Sequence, residues 1–267
     1  MRFLYKIFEN FTKSNLIFFT IILYLFPFGY WVLSLPHRNK SIDINSLYWA
    51  QLVDTLFISI SAAGLAVLFG GSIAILTIHS SKKVADVLIF SMMVPLLLGF
   101  IARNYSWVGF LSYLQEEYGE IMFFSNILDS WSGIVIVMTT VFTPFCYFVI
   151  SQKSNYIRVE HFEAGRTLGA TDSRMMFVIT LPILSGSGLI AFLLSLILGI
   201  GYFITPQLIG GGNFPFIGNG VLTLLNDIGD VAGASLLALY LLLTILIPIT
   251  FMSILYLIKV KFFYNRK

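Results

Sequence analysis

Charged residues are scarce in this chain. Only 11% of its 267 residues are charged, whereas a soluble domain usually carries about 25%. Hydrophobic residues make up 58% of the sequence, and the mean hydropathy is +0.89. A chain of this composition needs lipid as its solvent. The composition therefore excludes a soluble domain, and it predicts one all-α, polytopic membrane domain.

Cysteine and histidine are also rare. The single cysteine, Cys146, lies in an apolar run, which excludes an intrachain disulfide and predicts a small buried side chain. The three histidines, His37, His79 and His161, lie in separate loops, and this spacing does not suit a metal. We therefore expect no metal or cofactor in this chain, and no catalytic residue of a membrane enzyme.

Phosphate-binding and nucleophile motifs are missing as well. The glycines at 210–212 are followed by Asn213, not by the lysine and Ser/Thr that a phosphate loop requires. Gly186-Ser187-Gly188 lacks the surroundings of a nucleophile elbow, and the small residues from Ser185 to Gly188 instead predict close helix packing. We therefore expect no nucleotide site of the chain's own.

Long apolar runs dominate what is present. A membrane-spanning helix needs about 20 mainly apolar residues, and six segments meet this requirement. An N-terminal signal peptide is the alternative for the first, but the run is too long and no small-x-small cleavage site follows it. The predicted spans are residues 15–35, 52–78, 84–102, 131–151, 183–205 and 232–258.

The basic residues are distributed unevenly between the loops. Six spans place both termini on one side, and that side holds 13 of the 16 basic residues. The positive-inside rule assigns this side to the cytoplasm. The other side keeps Arg38, Lys40 and Arg103, and its residues are otherwise largely acidic. The long outer loops at 103–130 and 206–231 each predict a short re-entrant or interfacial helix.

Ionisable residues are almost absent from the spans. Asp54 and Asp86 each lie near a span end, where water reaches. A proton- or sodium-driven carrier usually has such groups within its spans, so we expect energy for uphill transport to come from a partner. Backbone-coordinated sodium sites keep the ion-driven carrier as the alternative class.

A polar insert at 151–182 separates the fourth and fifth spans. Its residues 159–168 predict a short helix with an apolar side, and Gly169 is placed to end that helix as its C′ residue. Thr171 or Asp172 can cap a second helix, which we expect to stop near Pro182. The alternative to a docking elbow is an amphipathic connector without any partner.

The spacing within this insert resembles the EAA loop of permease subunits in binding-protein-dependent ABC importers. That pattern reads E-A-A, three residues, G, nine residues, I, one residue and L-P. Every interval is kept here, with a glycine replacing the third residue of the motif, which loosens the helix by about 1 kcal/mol. The matching residues are Glu163, Ala164, Gly165, Gly169, Ile179, Leu181 and Pro182.

The resemblance covers about residues 50–260. It implies a type I importer permease domain at 50–260, preceded by a segment with an added first helix (1–49) and followed by a basic tail (261–267). It also implies that the insert docks on one of two partner ATPase subunits, which bind ATP and Mg²⁺. The other implied partners are a second permease, an extracytoplasmic solute-binding protein and the lipid of a bacterial inner membrane, with no nucleic acid.

Two further stretches resemble the spermidine/putrescine branch of these permeases. Residues 103–107 (R-N-Y-S-W) are similar to a segment after the third span, and 201–211 are similar to one after the fifth. Branches for sulfate, molybdate or ferric iron have partly similar segments, so these solutes stay open. Acidic outer loops would concentrate a polyamine; the alternative is that they form only a solvated loop face.

The candidate residues of a substrate mouth or gate lie in these stretches and in the acidic outer loops. Interfacial anchoring is the alternative for the aromatic and basic residues, and helix termination is the alternative for the Thr-Pro pair. The candidates are Asp54, Arg103, Tyr105, Trp107, Thr205, Pro206, Asp227 and Asp230.

Overall fold

The computed structural model describes residues 44–120, 125–153, 157, 163, 165–167 and 169–264. Regular structure within these ranges is helical, without strands, which confirms the all-α prediction. A π-helical turn, Met176–Thr180, joins α5 to α6, and a second, Thr223–Ile228, follows α8. The helices are α1 (Ile44–His79), α2 (Lys82–Leu97), α3 (Phe100–Tyr118), α4 (Trp131–Ser151), α5 (Asp172–Met175), α6 (Leu181–Ile200), α7 (Ile204–Ile209), α8 (Ile217–Leu222) and α9 (Val231–Tyr264).

Within the described part of the chain, four helical segments are long and apolar enough to cross a membrane: Tyr48–His79, Trp131–Ser151, Met176–Ile200 and Val231–Phe251. The pair α2 and α3 could form a fifth, broken span, because its two parts meet at a bend of 101°. The predicted first span, 15–35, lies outside the described residues. The count of six spans therefore stays a prediction.

The predicted third span, 84–102, is wrong at its C-terminal end. α2 ends at Leu97, and α3 begins at Phe100 in a different direction. Pro95 removes one helical hydrogen bond in the last turn of α2, and Gly99 has a low helix propensity. Arg103 Nη1 closes the bend by donating to Pro95 O at 2.8 Å.

The predicted fifth span, 183–205, is divided into two helices. α6 ends at Ile200, and α7 continues the chain from Ile204 after a short turn. The expectation that the elbow's second helix stops near Pro182 is also wrong. Pro182 lies in the first turn of α6, where its missing N–H costs little, so the helix continues through the π-helical turn into the span.

The contact between α1 and α4 forms the centre of the bundle. Small residues at four-residue intervals, Ala62, Ala66, Gly70 and Ala74, line one buried face of α1. A Cβ atom at Gly70 would lie 2.8 Å from both Thr143 O and Tyr147 N. The backbones of the two helices therefore touch, as small residues allow inside a membrane.

The small residues at 185–188 do not provide such a contact within the described chain. A Cβ atom at Gly186 would meet no atom within 4 Å. α6 instead crosses α1 at Gly199, where a Cβ atom would lie 3.1 Å from Ser59 Oγ. The prediction for Cys146 is confirmed, because this side chain is fully buried with Sγ 3.1 Å from Ser195 Oγ.

The bundle has two ends of different charge. We call the end with Lys82, Lys83, Lys153 and Arg174 the basic end; there, His79 Nε2 lies 3.5 Å from Thr180 Oγ1. The acidic end holds Asp129, Asp227 and Asp230, together with the short helices α7 and α8. These short helices confirm that the second long loop, 206–231, contains helical structure.

Gly70→Ala should destabilise the fold, because its new methyl group meets backbone atoms of α4 that cannot move independently. We expect a loss of about 1–3 kcal/mol, as for other overpacked sites, seen as a lower Tm in detergent by scanning fluorimetry. Gly64→Ala on the same helix is the control, since its Cβ meets nothing within 4 Å. Equal Tm values for the two variants would contradict the close contact.

Candidate functional site

The polar insert forms an elbow whose first helix ends at Gly169. The φ angle of this glycine is +76°, a left-handed conformation that costs other residues about 1–2 kcal/mol. Gly169 N–H donates to Arg166 O, and Ala170 N–H donates to Gly165 O, both at 2.9 Å. These two bonds define a Schellman motif, which confirms the predicted C′ glycine.

The second arm of the elbow begins directly after this turn. Thr171 Oγ1 accepts a hydrogen bond from Arg174 N–H at 3.4 Å, as the predicted N-cap would. Met175 on this arm is 2% exposed. A Cβ atom at Gly165 would lie 2.8 Å from Met175 Sδ, so the glycine in place of the motif's alanine lets the two arms close on each other.

The remaining motif residues lie on the outer side of the elbow or at its exit. Glu163 is helical and exposed, and Leu181 and Pro182 are exposed in the first turn of α6. Ile179 is half-buried in the π-helical turn. Ala164 lies outside the described residues. The elbow thus presents one carboxylate and several apolar groups at the basic end of the bundle.

Two exposed apolar residues of the elbow were missed by the sequence analysis. Phe177 is 61% exposed and Val178 is 65% exposed, although they lie on a segment that precedes a span. Their spacing carries no signal, because consecutive apolar residues before a span look like part of that span. They enlarge the apolar surface beside Leu181 and Pro182.

A buried hydrogen-bond network joins the two stretches that surround the candidate gate. Asn104 on α3 is fully buried, and its Nδ2 donates to Tyr202 OH at 2.9 Å. Thr205 Oγ1, also fully buried, donates to Asn104 Oδ1 at 2.5 Å. The structure therefore brings α3 into contact with α7 through side chains about one hundred residues apart.

Three further hydrogen bonds hold α8 at the acidic end. Asn219 Nδ2 donates to Phe203 O at 3.0 Å, and Phe216 N–H donates to Asn219 Oδ1 at 3.1 Å. Ile217 N–H donates to Thr55 Oγ1 of α1 at 3.1 Å. α8 is therefore attached to α1 and to the turn between α6 and α7.

Pro206 and Asp227 line the same cavity at the acidic end. This cavity has a volume of about 280 Å³ and lies between α7, the Gly-Pro loop and α8. Gln207, Asn219 and Asn226 supply amide groups to its wall. Asp227 itself is exposed, so a solute or a partner side chain at this end could reach its carboxylate.

Arg103 lines a second cavity, of about 380 Å³, with aromatic and aliphatic neighbours. Val141, Phe142 and Phe145 of α4 form one wall, and the ring of Phe142 packs edge-on against Tyr202 at 5.9 Å. These residues lie near the middle of α4. This position beside the middle of α4 disfavours the alternative interpretation of Arg103 as an interfacial anchor.

The other four candidates are dispersed. Asp230 Oδ1 accepts from Gly233 N–H at 2.9 Å and so caps α9. Trp107 is half-buried against Phe110, with ring centroids 5.6 Å apart. Tyr105 is 59% exposed, and Asp54 is half-buried on α1. Neither of the two cavities is lined by any of these four residues.

Asn104, Tyr202 and Asn219 are the structural residues of this end that the sequence analysis missed. Asn104 and Tyr202 lie in the stretches 103–107 and 201–211 that resemble the spermidine/putrescine branch, although neither was named as a candidate. For Asn104 and Asn219, an amide within or near an apolar run is a usable signal. A search of the described residues finds no group of three His, Cys, Asp or Glu side chains that could hold a metal ion.

Thr205→Val should destabilise the acidic end while it preserves side-chain shape. The change leaves the buried Asn104 Oδ1 without this donor, and we expect a loss of about 1–3 kcal/mol, measured as a lower Tm in detergent. Thr250→Val is the matched control, because the Thr250 hydroxyl bonds only within α9 at an exposed position. An unchanged Tm for Thr205→Val would exclude a structural role for this bond.

Solved structures similar to this chain come from bacterial transporters. One is a bacterial ABC transporter involved in the import of the acidic polysaccharide alginate, with a TM-score of 0.66 at 15% identity, covering 96% of this chain and 98% of that one. Another is an alginate ABC transporter in complex with alginate pentasaccharide-bound periplasmic protein, with a TM-score of 0.66, 14% identity and coverages of 94% and 96%. Identities this low establish the shared fold alone.

Sequence comparisons give information beyond the shared fold. The probable ABC transporter permease protein y4fN of Sinorhizobium fredii is 31% identical over 109 residues, which are 41% of this chain. The matched region spans only 19% of that relative's length. The family model described as "Binding-protein-dependent transport system inner membrane component" matches residues 66–261. This match includes the elbow and most of the bundle, and the chain belongs to that family of membrane transport components.

Proposed function

We propose that this chain is a permease subunit of an ATP-driven importer. The observation that carries the proposal is the elbow, in which the residues of the EAA spacing form a Schellman turn with exposed groups around it. The family match contains this elbow. Its proposed partners are two ATPase subunits, which bind ATP and Mg²⁺, a second permease and an extracytoplasmic binding protein.

The elbow is built to transmit a displacement. Its second arm continues without interruption through Met176–Thr180 into α6, because Leu181 N–H bonds to Met176 O across the turn. A rotation of the elbow therefore moves α6 directly. α6 crosses α1 at Gly199 and Ser59, so the displacement reaches the centre of the bundle and then α7.

The proposed orientation places the basic end in the cytoplasm of a bacterial cell, with the chain in the inner membrane. Basic residues near span ends set this direction. The acidic end would then face the binding protein. The division into segments 1–49, 50–260 and 261–267 also stays a prediction, as do the cytoplasmic termini.

Gly169→Ala should reduce ATP-driven uptake severalfold or more. A Cβ atom at φ +76° strains the turn by about 1–2 kcal/mol, and the elbow then loses its docking geometry. Uptake and copurification of the ATPase are measured on membranes with equal amounts of the chain. Glu163→Lys should likewise weaken copurification of the ATPase, because it reverses the exposed carboxylate on the first arm.

Gly186→Ala on α6 is the matched control. A Cβ atom at Gly186 would meet no atom within 4 Å, and the φ angle of this glycine is not positive. If Gly169→Ala and Glu163→Lys both retained the ATPase and uptake, docking by the elbow would be wrong. Uptake that continued after ATP depletion, with the ion gradient intact, would instead support an ion-driven carrier.

The proposed solute, a polyamine such as spermidine or putrescine, depends on charge at the acidic end. Among the described carboxylates of this end, Asp230 serves as a helix cap, and Asp227 keeps an exposed position in a cavity. A polyamine ammonium could bind Asp227 together with the amides of Gln207 and Asn226. The alternatives within the same importer class are sulfate, molybdate and ferric iron.

Asp227→Asn tests the polyamine hypothesis. If the carboxylate attracts an ammonium group, its loss should raise the KM for spermidine uptake by about twofold to fivefold, since exposed charge pairs contribute about 1 kcal/mol or less. Higher salt should diminish this difference. Glu117→Gln is the control, because it neutralises an exposed carboxylate on α3. An equal KM in both variants would show that Asp227 is only a solvated surface residue.

A further inference from the structure

Arg103 lies beside the middle of the span α4. The cavity that it lines contacts Val141, Phe142 and Phe145, which are residues 11, 12 and 15 of the 21 in α4. At 1.5 Å per residue, Val141 is about 15 Å from the start of this helix. The hydrocarbon core of a bilayer is about 30 Å thick, so the cavity lies near its centre.

A second route through the structure also places the cavity well inside the span. Ile209, at the end of α7, lies beside Gly133 in the first turn of α4. α7 runs back from that level towards Ile204, which lines the Arg103 cavity. The cavity is therefore roughly one and a half turns of helix or more below the acidic end of α4.

The structural hydrogen bond of Arg103 uses only one of the donors of its side chain. A guanidinium carries five N–H donors, and Nη1 donates to Pro95 O across the α2–α3 bend. Nε is fully buried and has no hydrogen-bond partner. No ion pair with a carboxylate is found for Arg103 among the described residues. A charge inside a membrane is costly and usually marks a transport path.

We propose that the Arg103 cavity is a subsite on the solute path and receives an anionic group of the transported solute. The chemistry that fits is an oxyanion, such as a carboxylate, sulfate or phosphate, which a guanidinium binds with two parallel hydrogen bonds. Phe142, Tyr202 and Phe203 would contact the apolar or ring part of such a solute. This inference rests on the proposed importer function.

Depth distinguishes a solute from a lipid as the occupant. Lipid headgroups lie at the surfaces of the bilayer, about 15 Å from its centre, and their phosphates do not reach this level. An acyl chain could fill the space between the apolar walls, but it offers no acceptor to the guanidinium. A transported solute must pass the membrane centre with its polar groups. A side chain of the second permease, which also reaches this depth, would fill the cavity and prevent thiol modification within it.

The inference opposes the polyamine hypothesis. A guanidinium at the membrane centre repels an ammonium group, and water screens this repulsion less there than at the surface. The carboxylates of the acidic end act before the solute enters the membrane, whereas Arg103 acts on the solute within it. The charge preference of the cavity therefore decides between the two solute classes.

The rate of thiol modification measures the charge preference of the cavity, and this measurement requires no transport. Phe145 lines the cavity and is 42% exposed, so Phe145→Cys, in a Cys146→Ala background, places a reactive thiol beside Arg103. The complete transporter in nanodiscs is treated with an anionic or a cationic methanethiosulfonate of similar size. Both reagents are excluded from lipid, so any reaction in the cavity requires an aqueous path.

The anionic reagent should react faster at Phe145→Cys, relative to its reactivity with a free thiol. Adding Arg103→Gln should lower the anionic-to-cationic rate ratio by at least about fivefold, while Arg103→Lys should preserve it. Leu189→Cys, 44% exposed on α6 and outside the cavity, is the control position. A ratio that does not depend on Arg103, or no reaction with either reagent, overturns the proposal.

The solute that copurifies with the binding protein provides an independent test of the class. Mass spectrometry of the extracted solute should find an acidic group, and a polyamine would overturn the inference while leaving the importer proposal intact. If ATP-dependent uptake is absent altogether, the importer proposal fails by itself. The thiol ratio does not depend on transport, so it still reports the charge preference of the cavity.

Discussion

A polar group inside this apolar bundle must find its partner within the protein, because lipid offers no hydrogen bonds. This constraint explains the most ordered features of the acidic end. Asn104 is satisfied by Tyr202 and Thr205, and Thr55 satisfies the first N–H of α8. Each bond joins two elements that are far apart in sequence. The hydrogen-bond partners of these groups therefore determine where the short helices lie. Among the described residues, Arg103 is the charged side chain that has a buried atom, Nε, without a partner, beside the uncharged Gln51, Ser59 and Thr139.

Local signals were predictable from the sequence. The C′ glycine at 169, the cap at Thr171 and the bounds of α4 follow from chemistry within a few residues, and the structure confirms all three. The spacing of the elbow motif is also local. Sequence patterns failed where the outcome depends on a distant partner. The contact between Asn104 and Thr205 and the depth of Arg103 both depend on how α3 folds back after the bend at Leu98 and Gly99.

Helix breaks near apolar span ends were the second source of error. Pro182 was expected to stop a helix, yet it lies where a helix begins and where its missing N–H is harmless. Pro95 and Gly201, in contrast, lie inside the apolar stretches 84–102 and 183–205, and the helices end close to them. The hydropathy of 84–102 and 183–205 is continuous across these breaks, so a pattern based on hydropathy alone does not reveal them.

The two ends of the bundle are connected by one nearly continuous path of chain. The elbow enters α6 through the π-helical turn, α6 ends beside the Arg103 cavity, and α7 begins beside the same cavity. Thr205 of α7 then bonds to Asn104, the neighbour of Arg103. A displacement of the elbow would thus change the wall of the cavity and the bond beside its single guanidinium together. A movement of the elbow at the basic end can therefore change the contacts of a solute at the membrane centre through α6 alone, without any further element between them.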